Sequence, residues 1–107
     1  MATNDDSVPN EPRREEIDAL SAPTVIEFGA TWCGHCQAAQ GLIGEALANF
    51  PQVAHLKIED GPGRRLGRSF AVKLWPTLVF LRYGKEVARL VRPTEARAVR
   101  ICLQKLG

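Results

Sequence analysis

Two cysteines that stand two residues apart are the side chains of this sequence best suited to do chemistry. Cys33 and Cys36 follow Trp32 directly and enclose Gly34 and His35. Thiols at this spacing can close a small disulfide, and here they lie between an apolar run and a segment with helical periodicity. The unpaired N–H groups and the dipole of a helix N-terminus stabilise a thiolate, the form that attacks a disulfide. We therefore predict thiol–disulfide exchange with Cys33 as the nucleophile.

The residues around this pair predict the remaining steps of the exchange. Cys36 lies one turn further into the helix, so we expect it to be the more buried thiol and to attack the mixed disulfide that Cys33 forms. His35 can add positive charge beside the thiolate, which would make the disulfide a better oxidant. Glu27 interrupts an apolar run, where burial should raise the pKa of its carboxyl group. A raised pKa would suit Glu27 to exchange a proton with Cys36.

The length and composition of the chain predict one compact domain that positions these groups. The sequence has 107 residues, of which 45% are hydrophobic and 24% are charged. That is enough for a single core and too little for two. Residues 1–11 are polar and are expected to form a flexible tail, whereas residues 12–107 are expected to form the domain.

Hydrophobic periodicity predicts an alternation of helices and strands within that domain. Apolar residues three and four apart predict helices over 12–20, 33–50 and 64–70, and a final helix that Thr94 caps. Apolar and β-branched runs predict strands over 24–28, 53–59, 77–82 and 86–90, with a tight turn between the last two. This order predicts an α/β fold with a mixed sheet of about four strands and helices on both faces.

Two segments together resemble the thioredoxin family. One is the run Phe28-Gly29-Ala30-Thr31-Trp32-Cys33-Gly34-His35-Cys36, and the other, about forty residues later, is Trp75-Pro76-Thr77. The resemblance extends from about residue 24 to the C-terminus and implies a thioredoxin-like fold. The inner Cys-Gly-His-Cys motif is similar to the active site of protein disulfide isomerase domains, whereas typical thioredoxins have proline in place of His35.

The resemblance also implies a face that binds substrates. In this family the proline that matches Pro76 is cis and faces the cysteines, and the backbone of the preceding residue pairs with an extended substrate. That residue is Trp75 here, where family members usually carry a smaller β-branched side chain. Trp32 stands beside the nucleophile and is expected to shape the substrate surface, and Gly34 completes the predicted substrate-binding set.

Several positions match the family or depart from it. Glu27 matches the buried acid of the family, and His55 falls where many members have a lysine near that acid. Gly29 replaces the usual aromatic residue, and Arg92 lies where a glycine-containing surface loop is common. These departures alter the rim around the cysteines and leave the cysteine chemistry intact.

The predicted reaction needs protein disulfides as substrates and no resident metal, flavin or nucleotide. The redox centre would be the Cys33–Cys36 disulfide, and electrons would come from a separate thioredoxin reductase or from glutathione. In a cytosol poised at about −220 to −260 mV, even a pair at the more oxidising limit of about −180 mV would rest mostly as dithiol. We therefore expect disulfide reduction.

Charge and hydropathy argue against other classes of function. Residues 1–60 carry ten acidic and three basic side chains, and residues 61–107 carry two and eleven, a polarity that can steer an acidic partner. The seven aromatic residues do not alternate with the arginines, so nucleic-acid binding is not expected. The apolar runs are too short to span a bilayer and the N-terminus lacks a signal-peptide pattern. We therefore expect a monomeric cytoplasmic protein without membrane contact.

Two alternatives remain open from the sequence alone. The spacing of Cys33 and Cys36 also occurs in zinc sites, where His35, His55 or Cys102 would supply further ligands, although a second closely spaced ligand pair is missing. The domain could also dock a dedicated partner, with its redox chemistry secondary. Cys102 shares an apolar helix face and is expected to be a buried hydrophobic residue.

Overall fold

Helices and strands alternate along residues 11–107, the part of the chain that this computed structural model describes. The elements are α1 (Arg14–Asp18), β1 (Thr24–Gly29), α2 (Gly34–Leu47), β2 (Ala54–Glu59), α3 (Arg65–Ser69), β3 (Thr77–Arg82), β4 (Lys85–Val91) and α4 (Ala96–Gln104). The predicted order of elements is confirmed. Of the tail predicted for residues 1–11, only Glu11 lies within the described residues, and its carboxylate accepts a 2.7 Å hydrogen bond from the Leu66 backbone N–H.

The strands form one mixed sheet in the order β2-β1-β3-β4. β1 is parallel to β2 and antiparallel to β3, and β3 and β4 form the predicted antiparallel hairpin. β1 is apolar almost throughout because it is an inner strand covered on both faces, and its first five residues are buried. This inner position places Glu27 inside the domain rather than at a sheet edge.

Helices cover both faces of the sheet because successive side chains of a strand point to opposite sides. Val25 and Phe80 belong to an apolar cluster shared with α2 and α4, which also contains Cys102. Ile26 and Val79 belong to a second cluster, shared with α1 and α3. The predicted α/β fold with helices on both faces is confirmed, and Cys102 is buried as expected.

The start of α4 differs from the prediction that Thr94 caps it. The N-cap position is Glu95, whose backbone is extended with φ −139° and ψ 138° and whose side chain makes no capping hydrogen bond. Thr94 therefore lies one residue too far upstream to occupy the N-cap position. The predicted cap is wrong, although the predicted apolar face of the helix is buried at Val99, Cys102 and Leu103.

The hairpin between β3 and β4 returns the chain to the cysteines. Tyr83 and Gly84 both have positive φ, 51° and 75°, as in the two-residue type I′ turns that suit hairpins. Val91 pairs with Thr77, and the backbone N–H of Arg92 donates a 2.9 Å hydrogen bond to the carbonyl of Pro76. The end of β4 is thereby fixed beside Pro76.

The longest helix within residues 11–107, α2, has 14 residues. No helix in this part of the chain has the length and apolar content needed to cross a membrane.

Candidate active site

Cys33 occupies the N-cap position of α2, in the connection that follows β1. Its backbone is extended, and its sulfur accepts a 3.2 Å hydrogen bond from the backbone N–H of Cys36. This geometry holds the sulfur over N–H groups that have no partner within the helix. Both cysteines are free thiols in this structure. The fold therefore brings the predicted pair together in its reduced form.

The two thiols of this pair ionise differently. A hydrogen bond from the Cys36 thiol holds the pKa of Cys33 below its usual value. Burial acts in the opposite direction and raises this pKa. Three further groups lower it: the backbone N–H of Cys36, the backbone N–H of His35 and the positive charge of Arg92. Burial raises the pKa of Cys36 to about 11, and its hydrogen bond to Cys33 and the negative charge of Glu27 act in the same direction. Cys33 is therefore the thiol that ionises first.

Cys36 is expected to be the more buried thiol, but the exposed fractions of the two cysteines differ little. Cys33 is 7% exposed and Cys36 is 6% exposed. Both belong to one small apolar cluster with Ala30, against which Trp75 packs. The asymmetry between the cysteines therefore shows mainly in their pKa values: burial raises the pKa of Cys36, and the hydrogen bond from its thiol lowers the pKa of Cys33.

Glu27 lies on β1 and is only 4% exposed. Its carboxylate accepts a 2.6 Å hydrogen bond from Gln40 Nε2 and lies 2.8 Å from His55 Nε2. Burial raises the pKa of Glu27, but the hydrogen bonds to His55 and Gln40 and the charges of His55 and Lys57 outweigh it, so the pKa is lowered. The predicted rise of this pKa is wrong because the buried carboxylate has polar partners. The predicted proximity of His55 to the acid is confirmed.

Gln40 connects this acid to the helix that carries the cysteines. Besides its hydrogen bond to Glu27, its amide nitrogen donates to the Cys36 carbonyl at 3.1 Å, and its amide oxygen accepts from Lys57 Nζ at 2.8 Å. The sequence reasoning missed this residue. The available signal was its position four residues after Cys36, which places both on the same face of a helix.

An open pocket of about 420 Å³ adjoins both the Cys36 thiol and Glu27. Gly29 lies in its wall, and a Cβ at this position would be only 2.7 Å from the Cys36 sulfur. The absence of a side chain at Gly29 therefore leaves room for the thiol and for the pocket. The pocket therefore borders both residues, although each is almost fully buried.

His35 is exposed in the first turn of α2. Its backbone N–H helps to lower the pKa of Cys33. The contribution predicted for its imidazole ring stays a prediction.

Of the predicted substrate-binding residues, Trp32 and Gly34 flank Cys33 in the chain, and Trp75 packs against the apolar cluster that contains Cys33. Trp32 is 72% exposed, and its ring meets that of Trp75 edge to face with centroids 5.4 Å apart. The Trp75–Pro76 peptide bond is cis, as the resemblance implies. A Cβ at Gly34 would have no heavy atom within 4 Å, so the backbone there borders open space.

Two polar contacts fix Trp75. Its indole Nε1 donates a 2.9 Å hydrogen bond to the carboxylate of Asp60, and its carbonyl accepts a 2.8 Å hydrogen bond from Arg92 Nε. Asp60 was not singled out by the sequence reasoning, because its position after β2 does not indicate that it reaches the loop before β3. The sequence shows Arg92 only as a departure from the family pattern and does not indicate this contact.

The described part of the chain does not contain the ligand set that the zinc alternative requires. Residues 11–107 contain no group of three or more histidine, cysteine or acidic side chains placed to hold a metal ion. His55 lies against Glu27, and Cys102 lies in the cluster beneath α2 and α4.

Comparisons with known proteins converge on one family. The family model described as Thioredoxin matches residues 8–105. Among curated relatives, thioredoxin H2-1 of Oryza sativa subsp. japonica is 37% identical over 67 residues, which are 63% of this chain and 49% of that protein. A thioredoxin of Chlamydia trachomatis is 34% identical over 71 residues, 66% of this chain and 70% of that protein.

Solved structures extend this similarity to the fold. The structure of reduced thioredoxin 2 from Pseudomonas aeruginosa PAO1 is 60% identical, with a TM-score of 0.81 and coverage of 90% of this chain and 89% of that one. The matches to curated relatives are shorter. This chain spans about half the length of several of them, including the rice protein.

Proposed function

The chain belongs to the thioredoxin family, and we propose on this basis that it is a thiol–disulfide oxidoreductase that reduces disulfides in other proteins. The observation that carries the proposal is the asymmetry of the cysteine pair. The pKa of Cys33 is lowered and that of Cys36 is raised to about 11, so one sulfur is ready to attack while the other keeps its proton. That is the division of tasks that two-step disulfide exchange requires.

The first step is attack by the Cys33 thiolate on one sulfur of a substrate disulfide. A new S–S bond forms between Cys33 and the substrate, the substrate's own S–S bond breaks, and its second sulfur leaves as a thiolate that takes up a proton from solvent. Cys33 is the N-cap of α2 and belongs to the small apolar cluster, and the exposed Trp32 directly precedes it in the chain.

The second step is attack by Cys36 on the Cys33 sulfur. Once Cys33 is bonded to substrate it no longer accepts a hydrogen bond as a thiolate, which removes one cause of the raised pKa of Cys36. Cys36 loses its proton and bonds to the Cys33 sulfur, the S–S bond between Cys33 and the substrate breaks, and the attacked substrate sulfur leaves as a thiolate that takes up a proton from solvent. Two electrons have then passed from the protein to the substrate.

Glu27 is proposed as the proton acceptor for Cys36. Its lowered pKa keeps it ionised and makes it a weak base, so it would accept the proton of Cys36 only in passing, on the way to solvent. The pocket that it shares with Cys36 admits the water that can relay this proton. Gln40 and His55 hold the carboxylate in place.

Substrate polypeptide is proposed to lie across Trp32, Gly34, Trp75 and Pro76. The ring of Trp32 is exposed and meets that of Trp75 edge to face, and the backbone of Gly34 borders open space, so this face offers an apolar surface next to Cys33 in the chain. An extended segment there can use backbone hydrogen bonds for affinity, as in strand addition.

The direction of exchange depends on the reduction potential of the pair. Reference values run from about −270 mV for thioredoxin to about −180 mV for protein disulfide isomerase, and about 30 mV corresponds to a tenfold change in equilibrium constant. We propose that His35 moves the potential towards the oxidising end, and that the pair still works as a reductase in a cytoplasm that keeps it as dithiol. Thioredoxin reductase or glutathione would then reduce the Cys33–Cys36 disulfide to the dithiol again.

The test is the reduction of a disulfide-bonded protein, insulin, with dithiothreitol as electron source. Cys33→Ser is expected to abolish catalysis, and Cys36→Ser is expected to leave a Cys33 mixed disulfide that mass spectrometry detects. Cys102→Ala is the matched control and should retain activity, since Cys102 lies on α4 in a different apolar cluster from Cys33 and Cys36. Full activity in Cys33→Ser would refute the proposal.

The docking alternative is favoured by apolar side chains that stay exposed near the site. Trp32, Leu74 and Val91 are 72%, 49% and 48% exposed. A Cys33→Ser, Cys36→Ser double variant separates the two functions in cells. An unchanged phenotype would support docking, and complete loss would support redox catalysis.

A further inference from the structure

Arg92 lies on the face of the protein that borders Cys33, and both its backbone and its side chain are bonded to the segment that contains Trp75 and Pro76. Its backbone N–H donates to the Pro76 carbonyl at 2.9 Å, and its Nε donates to the Trp75 carbonyl at 2.8 Å. Its φ of 52° lies in the left-handed region that favours glycine. The fold therefore holds an arginine where a residue without a side chain would be sterically easier.

The guanidinium group of Arg92 is exposed and has no carboxylate partner among the ion pairs of residues 11–107. Arg89, three residues earlier, is instead held by two hydrogen bonds of 2.7 and 2.8 Å to Glu86. The only side-chain hydrogen bond of Arg92 within the described residues goes to a neutral backbone carbonyl. Its positive charge is thus free to meet a carboxylate from another molecule.

The carbonyl that Arg92 covers is also the one that an extended substrate would need. A polypeptide that adds along Trp75, as the family resemblance implies, directs an N–H at this carbonyl. The oxygen has two lone pairs, but the side chain of Arg92 already occupies one of them, so the two donors compete for the space in front of it. A guanidinium group can form two parallel hydrogen bonds with a carboxylate, which is a stronger arrangement than its single bond to a neutral carbonyl. A substrate carboxylate can therefore draw the guanidinium away, whereas a neutral substrate has to displace it without such compensation.

We propose that Arg92 is a specificity-determining residue that selects substrate disulfides with an acidic side chain next to the attacked cysteine. This inference rests on the disulfide exchange proposed above. The charge distribution agrees with it, since residues 61–107 carry eleven basic and two acidic side chains and would steer acidic segments towards this face. The same guanidinium helps to lower the pKa of Cys33, so it affects both binding and reactivity.

The test compares two looped disulfide peptides that differ only in Glu or Gln beside the attacked cysteine. Single-turnover reduction by the fully reduced protein gives a rate constant for each peptide, and the readout is the ratio of the two. A ratio cancels any effect on the thiolate of Cys33 or on folding, because such effects change both rates alike. The variants are Arg92→Gln, Arg92→Lys and Arg82→Gln.

Arg82→Gln is the matched control, because Arg82 is also exposed and lies at the opposite end of β3 from Pro76. The wild-type protein is expected to prefer the Glu peptide about fivefold, the upper range for an exposed ion pair, and less at high salt. Arg92→Gln should bring the ratio to about one, Arg92→Lys should give an intermediate value because lysine cannot form the planar fork, and Arg82→Gln should keep the wild-type ratio.

The outcomes separate this inference from the function beneath it. Reduction of both peptides at equal rates by the wild-type protein, or an equal preference in Arg92→Gln, would overturn the role of Arg92 and leave the oxidoreductase function standing. Loss of the preference in Arg82→Gln would also overturn it, since net charge would then explain the selectivity. If the wild-type protein reduced neither peptide, the proposed function and this inference would both fall.

Discussion

Replacing Cys36 by alanine should raise the pKa of Cys33. The thiol of Cys36 is the largest contributor to the lowered pKa of Cys33, because it donates a hydrogen bond to the Cys33 sulfur. Alanine removes that donor and keeps the backbone N–H that lies 3.2 Å from the same sulfur. Serine at the same position keeps a hydroxyl donor and is the matched control.

The size of this change follows from the strength of one hydrogen bond to an ion. Such a bond contributes about 1.5–3 kcal/mol, and 1.36 kcal/mol corresponds to one pKa unit. Because the N–H groups of Cys36 and His35 continue to stabilise the thiolate, we expect the lower end of this range. The pKa of Cys33 should therefore rise by about one unit in Cys36→Ala.

The assay is the rate at which iodoacetamide alkylates Cys33 as a function of pH, followed by the mass of the Cys33 peptide. This readout distinguishes Cys33 from Cys102, whose pKa is raised by burial. Below both pKa values, Cys36→Ala should react about tenfold more slowly than the wild-type protein, since its thiolate fraction is about tenfold smaller. Cys36→Ser should follow the wild-type profile.

Two results would refute this reasoning. The first is a Cys36→Ala profile that overlays that of the wild-type protein, which would mean that the helix N-terminus alone sets the pKa of Cys33. The second is a Cys36→Ser profile shifted as far as that of Cys36→Ala, which would mean that the hydroxyl does not replace the thiol as a donor.

Three further changes test the packing and charge around the thiols. Gly29→Ala should lower the free energy of unfolding in urea by about 1–3 kcal/mol, because the added Cβ would lie 2.7 Å from the Cys36 sulfur. Gly41→Ala, whose Cβ would have no heavy atom within 4 Å, should raise it by about 0.5–1 kcal/mol. Glu27→Gln should reduce the loss of stability in acid. Because the pKa of Glu27 is lowered in the folded state, its contribution to the free energy of unfolding is complete above its unfolded pKa of about 4.5 and is lost as the pH falls through the folded value. Unfolding in urea at a series of pH values measures this loss. Asp60→Ala should free the Trp75 indole from its 2.9 Å hydrogen bond and raise the KM for protein disulfides more than it lowers kcat in steady-state kinetics.

Each of these predictions can fail in a definite way. Equal unfolding free energies for Gly29→Ala and the wild-type protein would mean that the Cys36 sulfur moves aside at no cost. If the free energy of unfolding of Glu27→Gln fell with decreasing pH as steeply as that of the wild-type protein, the partners of this carboxylate would not stabilise its ionised form. For Asp60, the variant Asp60→Asn keeps an acceptor oxygen, so an equal KM in both variants would show that the indole contact is not the cause.

The elements of this fold follow from local patterns and were predicted closely. Strand β3 was placed at its observed bounds because an apolar run bounded by Pro76 and Arg82 has few other interpretations. The hairpin turn was equally clear, since Gly84 follows one strand and precedes the next. The cap of α4 was misplaced because Thr94 and Glu95 both precede the helix, and only the backbone conformation decides which of them is the N-cap.

The polar contacts of the site were harder to predict, since they depend on strand register and on loops that meet only in the folded chain. Val25 pairs with His55 and Glu27 with Lys57 in the parallel register of β1 and β2, which places both basic groups beside the acid. A single sequence does not fix this register. The same limit hid Asp60, whose partner Trp75 is fifteen residues away.

The pairing of Trp32 with Trp75 gives this protein an intrinsic optical reporter. These are the only two tryptophans among its 107 residues, and their rings lie 5.4 Å apart beside the cysteines. Tryptophan emission from the folded chain therefore originates entirely at the active site, without background from the remainder of the core. Opening and closing of the Cys33–Cys36 bond should be readable by fluorescence without a label. For the same reason, a fluorescence melt will follow the loosening of this face, and global unfolding has to be followed separately by circular dichroism.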